Sequence, residues 1–132
     1  MTTENLTAAT EQADTPDYFT RVQWHIQAAV DQAQVAKTRI DAALAKAEAA
    51  REGVRGREAE QQAAEQRIKR LEVFADAADV LTKEVQSQAR NYAASMPRED
   101  TSISREEARR FRVLAEQTAL RVVQLQADAL AT

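Results

Sequence analysis

The sequence predicts an all-α protein: a three-helix bundle built on a long Ala-rich antiparallel coiled-coil hairpin, with a shorter third helix. Three observations lead there. Phe19, Ile26, Ala33, Ile40, Ala47 and Val54 place an apolar residue at every seventh position, and Val22, Ala29, Ala36, Ala43 and Ala50 follow the first five by three. This is an a/d heptad seam, the pattern by which one helix lies along another. The register resumes with Ile68, Ala75 and Ala89 at a and Ala64, Leu71, Ala78, Val85 and Tyr92 at d; of the 23 a/d positions from 19 to 96, only Arg57, Gln61 and Thr82 are not apolar. Finally, 28 Ala against 2 Gly and 2 Pro, with 30% charged residues, is the composition of long helices, and no β-branched run offers a strand.

The chain's 132 residues predict one helical domain, 16–132, behind an acidic tail. Residues 1–15 carry no helical periodicity and are expected to be disordered. Thr15-Pro16-Asp17 predicts the first helix start: a cap, proline at the first helical position, then an acid. That helix should run over about 16–52. Gly53-Val54-Arg55-Gly56 brings two helix breakers together beside the polar seam positions Arg57 and Gln61, so a turn is expected near 53–57. A continuous rod from 16 to 95 is the alternative, because the heptad phase survives the gap.

The second helix should cover about 58–95. Its apolar stripe is wide, with Val73, Phe74, Val80 and Leu81 beside the seam, which suits a helix with two neighbours. Pro97 ends it. Ser104 with Glu107 reads as a capping box, which predicts a third helix over 105–130. Folding about residue 55 makes residue i face roughly 110 − i. Ile40 then meets Leu71, Ile26 meets Val85, and Phe19 meets Tyr92. The third helix should reach back only to about residue 70, leaving 41–69 as a projecting two-helix arm about 20 Å long.

The third helix has two apolar arcs. Phe111, Leu114, Ala115, Thr118, Val122, Leu125 and Ala129 should face the hairpin. Val113, Leu120, Val123, Ala127 and Leu130 lie about 160° away and have no partner in a single chain. Such a stripe points to protein–protein contact. Trp24 lies opposite the first helix's seam, near Tyr18, and is either capped by the third helix or exposed as an interface aromatic. These seven residues, the five of the outer arc with Trp24 and Tyr18, form the expected protein interface.

Two basic clusters suggest nucleic acid as another partner. Gly53-Val54-Arg55-Gly56, flanked by Arg51 and Arg57, has the spacing of the loop by which KH modules clamp a nucleic-acid backbone. KH modules need a sheet, however, and this sequence offers none; a solvated turn among Glu52, Glu58 and Glu60 is the simpler reading. Arg105, Arg109, Arg110 and Arg112 make the start of the third helix basic, but Glu106, Glu107 and Glu116 offset them and Phe111 belongs to the apolar stripe. Nucleic acid is therefore an alternative partner rather than the favoured one, with Arg51, Arg55, Arg57, Arg105 and Arg109 as the contacts it would use.

Catalysis finds no candidate residues. His25 is the only histidine, there are no cysteines, and no Glu-x-x-His pair, phosphate loop or nucleophile–base pairing occurs. Glu48 with Glu52 and Asp76 with Asp79 sit one turn apart among cations, as surface ion pairs do. We expect no enzyme activity, metal, cofactor or small-molecule substrate. No basic residue precedes Arg21 and no apolar run nears the roughly 20 residues of a membrane span, so a cytoplasmic place, or one within a soluble assembly such as a virion, is expected. Arg outnumbers Lys 14 to 4, a codon bias of GC-rich bacterial or phage genomes.

The functional expectation is a non-enzymatic interaction or structural protein, acting as a homo-oligomer or as a subunit or adaptor of a larger assembly. The alternatives are a nucleic-acid-binding regulator using the tip and helix-3 arginines, and a small antagonist that occupies another protein's site.

Overall fold

The structure, a computed structural model, describes residues 17–132. It is an up-down-up bundle of three helices, α1 (Tyr18–Gly53), α2 (Glu58–Ala94) and α3 (Ser102–Leu130), each packed on both others, with no strand among the described residues. The expected tail and the Thr15-Pro16 start lie outside the described residues.

The hairpin forms where the glycines predicted it. α1 ends at Gly53, the N–H groups of Val54 and Arg55 donate to the carbonyls of Arg51 and Glu52, and the turn closes through Gly56 at φ +89°. That φ lies in the left-handed region, which only glycine occupies without strain. The continuous rod is thereby excluded. Phe19 meets Tyr92 as expected, the Tyr92 hydroxyl donating to the Phe19 carbonyl at 2.8 Å, and Ile26, Ile40, Leu71 and Val85 are fully buried. Of the 23 a/d positions, only Ala50 and Arg57 are exposed. The core is thin because so many of these positions are alanine, which lets helices approach closely but buries little area per residue.

Three local expectations are corrected. Asp17, expected within the first turn of α1, is its cap; its carboxylate accepts the Thr20 N–H at 2.7 Å. That hydrogen bond holds the Asp17 carboxyl below its usual range. α3 begins at Ser102, three residues earlier than expected. Its cap is Thr101, with Ser104 completing the box, and not Ser104 with Glu107. Here a Thr–Ser pair fills both orphan N–H groups, which a glutamate three residues on would otherwise do. Val73 and Val80 are exposed, because α3 docks on a narrower part of α2 than the wide stripe implied; Phe74 is half-buried and Leu81 buried.

α3 runs alongside α1. The Arg105 guanidinium lies 4.7 Å over the Tyr18 ring, and Phe111 meets Tyr92 edge-on at 5.5 Å. Its inner face is Ala108, Ala115, Thr118, Ala119, Val122 and Ala129, all buried, with Phe111 and Leu125 packed against them. Leu114, expected on that face, is exposed. Twenty-nine residues at 1.5 Å each carry α3 about 43 Å, to the level of about residue 42 of α1. Past that level two helices continue alone, and between residues 41 and 69 only Ala47 and Ile68 are buried.

Candidate interaction surface

No group of three or more His, Cys, Asp or Glu side chains comes together among the described residues. The clefts are open grooves, such as the one between α1 and α3 lined by His25, Ala28, Gln32, Glu116 and Leu120. Perturbed carboxylates are explained by neighbours on the surface. Lys83 draws the Asp79 carboxyl down, and the fork of Arg105 draws Asp100 down through bonds of 2.6 and 2.8 Å. Among the described residues the one large shift is structural: burial pushes the Tyr92 phenol up to about 12. No described helix is long and apolar enough to cross a membrane.

Apolar side chains left open to solvent are the more informative feature. On α3, Val113, Leu120, Ala127 and Leu130 are exposed, Leu120 by 63%. Val123 differs from the rest of its arc: it is half-buried and packs against the core at the α1 side. Trp24 stands 59% exposed on α1, uncapped by α3. Tyr18 is half-buried, edge-on to Phe19 at 5.6 Å and beneath Arg105, so its ring is already engaged within the bundle.

Sequence reasoning passed over Val35, which is 50% exposed. A signal was present: Ala28, Val35, Ala42 and Ala49 repeat every seven residues on the outer side of α1, beneath the stronger seam. Ile103, Leu114, Val73 and Val80 add further open apolar positions on the α2/α3 side.

The basic residues do not converge. Arg51, Arg55 and Arg57 sit at the hairpin tip, whereas Arg105 and Arg109 sit beside Tyr18 at the opposite end, about 50 Å away along a 36-residue helix. Arg55 faces Glu52 at 3.9 Å, Arg57 faces Glu60 at 3.4 Å, and Arg51 is half-buried. Arg105 is committed to Asp100 and Tyr18, while Arg109 is exposed with no carboxylate within 4 Å among the described residues.

The chain matches no protein family, no curated protein and no solved structure.

Proposed function

We propose that the protein is a non-enzymatic helical interaction subunit, working as a homo-oligomer or as part of a larger assembly. The observation that carries this reading is the open row of Val113, Leu120 and Ala127 on α3, facing away from the bundle while the opposite face of the same helix is buried. Large exposed aliphatics in a row are costly to leave in water and are favoured where a second surface covers them. Trp24 and Val35 extend the apolar area onto α1. The arginine and alanine bias fits a bacterial or phage assembly. Separation of the two arginine clusters to opposite ends speaks against a single nucleic-acid groove.

The test is the mass in solution by light scattering across a concentration series. Leu120→Asp with Val113→Asp should shift the mass toward monomer, or abolish binding to a partner, with helix content retained. Unchanged mass, partner binding and fold in the double variant would remove the support for this reading. Salt-dependent retention on duplex DNA or RNA would favour the regulator instead.

A further inference from the structure

We infer that the partner of the α1/α3 face is a second copy of this chain, presenting its α1/α2 face; this rests on the assembly reading above. The ground is a sorting of charge that the net value of −3 conceals. At 100° per residue, Arg21, Arg39 and Lys46 fall within about 20° of one another on α1. They lie on the flank that His25 and Gln32 turn toward Leu120 of α3. Arg105, Arg109 and Arg112 occupy the facing flank of α3. Six cations thus share this face with Glu116, which is bonded to Arg112 at 2.9 Å, and with Glu106, which lies beside Arg109 and Val113 and faces Arg110 at 3.7 Å. At its open end Asp17 is taken up by Thr20 and Asp100 by Arg105. Arg39 and Lys46 have only Ala or Val at the positions three and four residues away, and no carboxylate lies within 4 Å of either among the described residues.

The other flank of α1 is acidic. Lys37 reaches Asp79 of α2 at 3.9 Å and so marks the α1/α2 side. Glu48 of α1 and Glu65, Glu72 and Asp76 of α2 lie on that side with no cation within 4 Å among the described residues. Lys37 and Lys83 are held there by Asp41 and Asp79 at 2.9 Å each. Lys69 and Arg90 are the remaining cations of that side.

A basic face and an acidic face on different sides of one chain are complementary between copies and repulsive when like meets like. The two faces flank α1, so both a two-fold axis along α1 and a repeated head-to-tail contact set one against the other. Leu120 and Val113 stand out from the basic face, and the exposed small residues Ala42 and Ala49 lie on the outer side of α1 between the two faces. Two adjacent helices about 40 Å long present on the order of 800 Å², which is what each partner of a stable interface contributes.

The experiment uses the whole chain. Arg39→Glu with Lys46→Glu, and separately Glu48→Lys with Asp76→Lys, change only exposed positions, and circular dichroism checks that each folds. Each pair should raise the dissociation constant for self-association at least tenfold by sedimentation at low salt, and an equimolar mixture of the two should recover it. About 0.5 M salt should weaken the wild-type contact. A wild-type monomer at all concentrations overturns the inference, as does a mixture that stays dissociated. If Leu120→Asp with Val113→Asp dissociates the protein and charge reversal does not, the assembly reading stands and the pairing of basic with acidic face is wrong. Duplex DNA bound by a monomer through Arg39 and Lys46 would overturn both.

Discussion

The two ends of the bundle are built from different materials. At the open end three helices meet around Phe19, Tyr92 and Phe111, with Tyr18 and Arg105 stacked over the edge and a buried hydrogen bond from Tyr92 to the α1 backbone. At the tip two helices continue past α3 with Ala47 and Ile68 as their only buried side chains between 41 and 69. One heptad seam runs through both regions. The difference shows that seam continuity gives alignment, while burial depends on how many neighbours a side chain meets. We therefore expect amides of the tip to exchange with solvent faster than those of residues 22–36.

The largest effect should come from removing the aromatic anchor. Tyr92→Ala is expected to cost about 3–5 kcal/mol, whereas Val54→Ala, half-exposed at the tip, should cost under about 1 kcal/mol. Urea midpoints of the two variants check this, and equal losses would erase the contrast between the ends.

Alkaline titration probes the same anchor without mutation. The Tyr92 phenol is held up from 10.0 to about 12 because burial disfavours its anion. Its contribution is complete below pH 10 and is lost as pH rises toward 12, a loss on the order of 2 kcal/mol. Wild-type stability should fall across that window more steeply than that of Tyr92→Phe.

A smaller effect is expected at the polar pair inside the three-helix part. Gln88 donates to the Thr118 hydroxyl at 3.1 Å, and Thr118 donates to the Leu114 carbonyl at 3.0 Å. Thr118→Val alone should cost about 1–2 kcal/mol by orphaning the Gln88 amide, and adding Gln88→Leu should restore most of it. A double variant as unstable as the single would show that the pair is not coupled.

At the tip, Gly56→Ala has open space for its Cβ but must keep φ at +89°, so a loss of about 1 kcal/mol is expected from backbone strain alone. Arg57→Ala, removing one exposed ion pair, should leave the urea midpoint within about 0.5 kcal/mol.

Much of the architecture was legible because the information is local. A seventh-residue repeat defines a stripe, two nearby glycines define a turn, and together they set Phe19 against Tyr92. Capping was less legible, since Asp17, Thr101 and Ser104 each belong to residue types that cap helices, and their choice depends on which backbone N–H lies within reach. Of the expected interface, the outward course of Val113 and Leu120 followed from periodicity, but the partial cover over Val123 did not. Nor did the engagement of Tyr18 by Arg105, residues 87 positions apart in sequence.

By itself the sequence determined three helices, their antiparallel hairpin register and the apolar stripes available for burial, because each follows from spacing along one helix. Only the tertiary structure decided which flank of α1 receives α3. Both choices bury the same a/d positions, so heptad periodicity is blind to the hand of the bundle. That choice gathers Arg21, Arg39 and Lys46 beside the arginines of α3 and leaves Glu48 and Asp76 on the other side. A near-neutral body thereby becomes one with two oppositely charged faces.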